Sequence, residues 1–280
     1  MATRRGFLRA TLGTYWTGAA LLEQSVFRAT QARAQASPNL PSLFTIHKVA
    51  DRVYAAVAKP TAVLNCNAAI FENFENLLIV DTHSKPSAVV ALVAQLGREV
   101  TRKPVRYIVN SHFHWDHTQG TAAYRKISSQ AQVIASEVTR RLLSESGSQR
   151  LKESLDQMRR RLEQTQEQRG RTKDAAEVNR LRTEAADIQS YIAEMSNYSP
   201  DLPDLTFDRE LVLHDKEQDL HLTFRGRAHT AGDVIVFSPQ KKVVATGDMI
   251  HSLCPSSPTD SHANGREQCN PSRSFLLSTS

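Results

Sequence analysis

A cluster of ionisable side chains directly after a short apolar run limits the folds that this chain can adopt. Val105–Val109 has the composition of a buried strand, and the residues that follow it read NSHFHWDHTQG. His112, His114, Asp116 and His117 lie within six residues, although the 280 residues contain only ten histidines. Crowded imidazoles repel one another when charged, and buried polar atoms need partners. Because a metal ion would resolve both problems, the cluster predicts a metal site at the end of a strand.

The spacing of the cluster indicates which of its residues could bind the same ion. In an extended segment, His112 and His114 can point to the same side and bind one ion, while Asp116 and His117 can serve a second ion. Imidazole and carboxylate ligands suit Zn²⁺, with iron and manganese as alternatives. Two further candidate ligands follow apolar runs in the second half, His229 in RAHTAGD and Asp248 in TGD.

Apolar runs and helical patterns alternate along the chain, which argues for an α/β layered domain. A helix with an apolar face is predicted at Lys85–Glu99. Strands are predicted at Leu43–Val57 (two, with a turn at 50–52), Thr61–Phe71, Leu77–Asp81, Val105–Val109, Gln132–Ala135, Phe207–Leu213, Leu220–Phe224, Val234–Phe237 and Val243–Thr246.

A helical segment from about 137 to 198 interrupts this alternation. Its apolar residues follow the 3–4 spacing of a coiled-coil seam on both sides of a polar interruption at Gln164–Asp174. We expect two antiparallel helices, an inserted arm that forms a dimer interface, covers the site, or packs only on itself. The seam residues are Leu151, Leu155, Met158, Leu162, Val178, Leu181, Ala185, Ile188, Ile192 and Met195.

The N-terminal 36 residues predict export. TRRGFLR, at Thr3–Arg9, resembles the twin-arginine motif, an apolar segment follows at Thr11–Leu22, and ARAQA offers a cleavage pattern ending at Ala36. We expect a periplasmic or secreted product; an amphipathic basic helix is the alternative. No later stretch reaches the ~20 apolar residues of a membrane span. Five arginines and one glutamate account for +4 of the net charge of +6, so the remaining +2 argues against nucleic-acid binding.

The pattern His-x-His-x-Asp-His is the signature of the metallo-β-lactamase superfamily, which the chain resembles from about Leu43 to Ile250 outside the insertion. The resemblance also includes Val80-Asp81-Thr82, Ala228-His229-Thr230 with Gly232-Asp233, and Thr246-Gly247-Asp248. It implies an αββα sandwich, two sheets faced by helices, with the metals at one edge. Its implied first-zinc ligands are His112, His114 and His229; Asp116 and His117 would bind a second ion and Asp248 would bridge both.

The resemblance further implies hydrolysis of a small molecule by a metal-activated water, with Asp116 orienting the nucleophile or taking its proton. Asp81 would support the metal loop. From the sequence alone, a carboxylate that only caps the end of the strand is an equally good interpretation. The expected function is an exported zinc-dependent hydrolase of an ester, thioester, lactone, phosphodiester or β-lactam. An aspartate at 248 favours thioesterase-, lactonase- and phosphodiesterase-type members over β-lactamases.

The last thirty residues depart from the family pattern. Residues 251–280 are rich in Ser and Pro, carry Cys254 and Cys269, and lack the Gly-His that completes a second site in the family. We expect this tail to be unstructured, the C-terminal part of the sandwich to be incomplete, and one ion to bind first. The alternative function is a truncated, catalytically inactive metal-binding or interaction module that uses the helical arm, with a homodimer formed through it.

Overall fold

Two β-sheets and their helices make up the part of the chain that the structure, a computed structural model, describes. These residues are 42–59, 66–250 and the backbone of the strand at 276–278. The predicted export signal at 1–36 lies outside them. None of the helices described is both long and apolar enough to cross a membrane.

The first sheet has seven strands in chain order. Its first four strands are antiparallel, and its last four, from β4 onward, are parallel. β4 is buried at every residue because both faces of this sheet are covered, which explains its uninterrupted apolar sequence. The strands are β1 (Phe44–Ala50), β2 (Val53–Ala58), β3 (Ala68–Glu72), β4 (Leu77–Val80), β5 (Val105–Val109), β6 (Gln132–Ser136) and β7 (Leu205–Phe207).

The second sheet is antiparallel, with strands in the order β12-β11-β10-β9-β8. Its buried side chains, such as Leu222 and Val236, share one core with Val80 and Val109 of the first sheet, so this core lies between the sheets. The strands are β8 (Glu210–His214), β9 (Asp219–Phe224), β10 (Val234–Ser238), β11 (Val243–Ala245) and β12 (Leu276–Ser278).

Helices cover the other face of the first sheet. α1 (Pro86–Glu99) and α3 (Thr121–Ile127) bury Leu92 and Tyr124 in a second core with Ile79 and Ile108. A one-turn helix, α2 (Trp115–Thr118), lies within the histidine cluster. Layers of helix and sheet confirm the predicted α/β class and agree with the metallo-β-lactamase sandwich implied by the resemblance.

The helical insertion forms two helices, α4 (Glu137–Arg171) and α5 (Ala175–Met195), capped by Ser136 and Asp174. The predicted interruption at 164–174 is too wide, because its polar residues continue the exposed face of α4 and only 172–174 form the turn. Seam residues of both helices are buried against each other: Leu151, Leu155, Met158, Ile188 and Met195.

The arm does not pack only on itself, so that alternative is wrong. Asp187 forms an ion pair with Lys85, just before α1. Glu194 accepts hydrogen bonds from the backbone N–H and hydroxyl of Ser87, at 2.9 and 2.7 Å. Tyr191 donates to Gln119 Oε1 at 2.9 Å, directly after α2. The arm is therefore joined to the domain beside the histidine cluster.

Two strand predictions need correction. The run predicted as one strand, 207–213, is divided between the sheets: Phe207 ends β7 of the first sheet, and β8 of the second begins at Glu210. A period-2 pattern shows which residues alternate but not which sheet they join. The tail predicted as unstructured contains β12, whose Leu277 pairs with Val244 of β11. The residues 251–275 of that tail lie outside the described part.

Candidate metal centre

Strand ends bring the candidate residues together at one edge of the sandwich. His112 follows β5 and Asp81 follows the neighbouring parallel strand β4, and side chains at the carboxyl ends of parallel strands meet at the same edge. His229 lies between β9 and β10, and Asp248 lies just after β11. The Val234 N–H donates to the Ser111 carbonyl at 2.8 Å, which joins the His229 loop to the His112 loop.

Three imidazoles from these two distant segments converge. The ligand atoms of His112, His114 and His229 all lie within 4.8 Å of one another. His114 Nδ1 and His229 Nε2 are 3.2 Å apart. Two nitrogen ligands at 2.0–2.1 Å from a tetrahedral zinc would be separated by roughly 3.3–3.4 Å. This spacing therefore suits ligands of a single ion.

A second group adjoins the first. His112, His117 and Asp248 also have ligand atoms within 4.8 Å of one another. His117 Nε2 lies 3.4 Å from a carboxylate oxygen of Asp248 and 3.4 Å from one of Asp116. The same Asp248 oxygen lies 3.8 Å from His229 Nε2. Asp248 thus lies close to both groups, in the position expected of a ligand that bridges two ions.

Hydrogen bonds hold the imidazoles in place from behind. Ser111 Oγ lies 2.9 Å from His112 Nδ1, and Asp81 Oδ2 lies 2.8 Å from His117 Nδ1. Asp81 also accepts from the N–H and the hydroxyl of Ser111, both at 2.8 Å. Because the second nitrogen of each ring is engaged in this way, Nε2 of His112 and of His117 is the atom left for the site.

A cation fits this set of donors. His112 Nε2 is buried and has no hydrogen-bond partner among the residues described, a cost of about 1–3 kcal/mol that coordination would remove. Burial and, after it, the nearby imidazoles of His117 and His114 together lower the pKa of His112 to about 2, so the ring is neutral as a ligand must be. Burial raises the pKa of Asp248, but the hydrogen bond and charge of His117 outweigh it and hold the carboxyl ionised.

The comparison with known families decides the classification. A family model described as "Metallo-beta-lactamase superfamily" matches residues 62–269 of this chain. The chain belongs to the metallo-beta-lactamase superfamily. Members of this superfamily are mostly metal-dependent hydrolases, and the fold suggests divalent-metal binding, for which the two groups above supply candidate ligands.

Two solved structures are similar to this chain at low sequence identity. The chain is similar to a metallo-beta-lactamase from Pontibacter korlensis, with 18% identity and a TM-score of 0.47 over 72% of this chain and 69% of that one. It is also similar to TMB-1, with 15% identity and a TM-score of 0.49 over 76% of this chain and 73% of that one. No curated protein matches the chain.

Two residues at the candidate metal centre were not predicted from the sequence. Ser111 contacts both Asp81 and His112, and its place inside the motif was the available signal. Cys66 Sγ lies 3.7 Å from His83 Nδ1, and burial raises the pKa of the Cys66 thiol to about 11 although the charge of His117 lowers it. No pattern in the sequence connects Cys66 with a motif some fifty residues later, because only the fold brings them together.

Proposed function

We propose that the chain is an exported zinc-dependent hydrolase that uses metal-activated water. The observation that carries this proposal is the convergence of His112, His114 and His229, with His112 Nε2 buried and unpartnered among the described residues. These three imidazoles would hold the first ion. Asp116 and His117 would hold a second, and Asp248 would contact both.

When bound, a divalent cation supplies Lewis-acid chemistry: it acidifies a water molecule and stabilises negative charge on the substrate oxygen. Asp116 would orient that water or accept its proton. In the metal-free chain, burial raises the pKa of Asp116, but the charge of His117 and its hydrogen bond outweigh burial, and the net pKa lies below the usual range. His117 would give up its proton on binding a cation, whose charge would act on Asp116 in the same direction. The carboxylate is therefore ionised at neutral pH, as a proton acceptor must be.

The substrate class follows from the group at the bridging position. By the resemblance, an aspartate at 248 favours thioesters, lactones and phosphodiesters over β-lactams. Gly247 brings this carboxylate close to the first motif: its φ is +54°, and a Cβ there would lie 2.6 Å from Ser111 Oγ. Only glycine accommodates both the backbone conformation and the close approach.

Metal analysis and a substrate panel test the proposal. We expect purified protein to contain one or two zinc ions, the first at His112, His114 and His229, and to hydrolyse a thioester, lactone or phosphodiester faster than nitrocefin. His114→Ala should abolish the zinc-dependent rate. His214→Ala is the matched control, since that side chain is 80% exposed and bonds Asp219 instead. A zinc content near zero, or equal rates for both variants, would refute the assignment.

Export is a separate proposal that is supported by TRRGFLR at Thr3–Arg9. A fusion of residues 1–40 to a reporter that is active only outside the cytoplasm should be exported. Replacing Arg4 and Arg5 together by lysine should stop it. Export of both forms would contradict a twin-arginine route.

A homodimer through the arm also stays a proposal. The apolar seam of the arm is buried within the arm itself, so a dimer would have to use its exposed polar faces. Light scattering after size-exclusion chromatography measures the mass directly, and a monomer at every concentration would exclude the dimer.

A further inference from the structure

A pocket of about 300 Å³ lies between the histidine motif and the helical arm. Residues 113–116 of the motif, including the candidate ligands His114 and Asp116, form one wall. Leu143, Arg150 and Leu151 of α4 form the opposite wall. The arm therefore completes a cavity that adjoins the candidate metal centre, and ligand sites are typically concave, apolar and provided with a few polar groups.

Arg150 is the feature of this pocket that points to a ligand. Its guanidinium carbon lies 4.2 Å from the centre of the Phe113 ring, a cation–π contact that holds the group over the ring. Arg150 is exposed and, within the described residues, forms no ion pair, which is also true of Arg141, Arg160 and Arg182 of the arm; the contact with Phe113 is what distinguishes it. Its N–H donors remain available, and a guanidinium matches an anionic oxygen pair.

The acidic groups of the pocket do not neutralise Arg150. Asp201 forms an ion pair with Arg125 at 2.8 Å. Glu153 accepts a hydrogen bond from Gln149 at 2.9 Å. Asp116 faces His117 and belongs to the candidate metal centre. Within the described residues, the pocket thus combines apolar side chains with polar ones, and its arginine has no carboxylate within ion-pair distance, although Glu153 carries its charge on the same helix.

We propose that this pocket is a subsite for a carboxylate-bearing arm of the substrate, with the carboxylate on Arg150. The apolar part of that arm would lie along Trp115, Leu143 and Leu151, and the scissile bond at the histidine cluster. The inference rests on the proposed hydrolase function for its reaction, but not for its binding site.

Matched esters test the preference for an anion. The mono-p-nitrophenyl ester of glutaric acid carries a free carboxylate. Methyl p-nitrophenyl glutarate, in which that carboxylate is methylated, is the neutral counterpart. We expect wild type to have a higher kcat/KM for the acid. The ratio of the two kcat/KM values should fall about 10- to 100-fold in Arg150→Gln, because a charge-assisted hydrogen bond is lost, and less in Arg150→Lys. An unchanged ratio in Arg150→Gln would overturn the subsite.

Arg169→Gln is the control for charge. It removes the same charge from the same helix, at an exposed position 19 residues further along, which is about 28 Å in an α-helix. The ratio of kcat/KM values should not change in this variant. An equal fall in Arg169→Gln would mean that the effect comes from the overall charge of the arm.

A binding measurement separates this proposal from the proposed function. Trp115 lines the pocket, so its fluorescence in EDTA-treated protein should change on titration with glutarate and not with neutral glutaramide. The fluorescence change should be absent in Trp115→Phe, which shows that it comes from Trp115 and not from Trp16, the other tryptophan. Glutarate binding that is lost in Arg150→Gln supports the subsite even if no ester is hydrolysed. Equal binding to wild type and Arg150→Gln, or none to either, overturns it.

Discussion

The carboxylate of Asp81 lies 2.8 Å from His117 Nδ1, so a residue at the end of β4 orients an imidazole of the motif that follows β5. Its other oxygen accepts the Ser111 N–H at 2.8 Å. Asp81 has a positive φ of 70°, a conformation that aspartate tolerates better than most residues. One buried carboxylate therefore connects two strand ends at the candidate metal centre.

Asp81→Asn should weaken zinc binding about 10- to 100-fold, the usual cost of losing a group that orients a ligand. Asparagine keeps the size and the backbone conformation, but it supplies only one acceptor oxygen for His117 and Ser111 together. Competition with a fluorescent zinc chelator measures the affinity. Asp208→Asn makes the same chemical change at an exposed position and should bind zinc like wild type. Equal affinities for the two variants would show that Asp81 only caps a strand.

Gly120→Ala should destabilise the fold by about 3 kcal/mol or more. A Cβ at Gly120 would lie 1.8 Å from the carbonyl oxygen of Thr82 and 2.5 Å from Val89 Cγ2. Gly170→Ala is the matched control, because nothing lies within 4 Å of its Cβ, and it should stabilise α4 by up to about 1 kcal/mol. Urea unfolding of EDTA-treated proteins gives both values. Equal stabilities would mean that α1 and the α2–α3 turn are not packed this closely.

Lys85→Met should cost about 3 kcal/mol, because it leaves the carboxylate of Asp187 without its charge partner. Lys85 is only 4% exposed, and Asp187 Oδ2 has no hydrogen-bond partner among the described residues. The double variant Lys85→Met/Asp187→Leu should lose less unfolding free energy than Lys85→Met alone, because it removes both charges. A double-mutant cycle by urea unfolding measures the coupling. Strictly additive losses would contradict a buried pair joining the arm to the domain.

His83 should make the metal-free protein less stable in acid. Its ring is fully buried, Nδ1 bonds the Cys66 carbonyl at 2.9 Å, and Nε2 has no partner within the described part. Burial lowers the pKa of His83 to about 3 from its ordinary value of 6.5. The unfolded chain therefore binds a proton that the folded chain does not, and stability falls as the pH drops from 6.5 toward 3.

The contribution of His83 between pH 7 and pH 5 is about 2 kcal/mol. His83→Asn removes the titrating group and tolerates the positive φ of 65° at this position. The difference in unfolding free energy between pH 7 and pH 5 should be smaller in the variant by that amount. The same pH dependence in both proteins would mean that His83 is accessible to protons in the folded state.

Much of the first sheet could be predicted from local patterns. The apolar run of β4 and the amphipathic pattern of α1 each occupy one continuous stretch, so their periods identify them. The arm seam was visible for the same reason. Strand β7 was merged with β8, and β12 was missed, because three-residue strands depend on a partner that is far away in the chain.

Residue types and their order already specify the chemistry of the site: imidazoles and carboxylates follow apolar strands, in the order His112, His114, Asp116, His117, His229 and Asp248. They also specify that the arm is a helical pair. Folding of the whole chain was needed to bring His229 to His114, Asp81 to His117 and Ser111, and Arg150 over Phe113 beside the centre. Local periodicity is set by covalent neighbours, whereas these contacts join segments 30 to 115 residues apart, whose meeting depends on packing the whole chain.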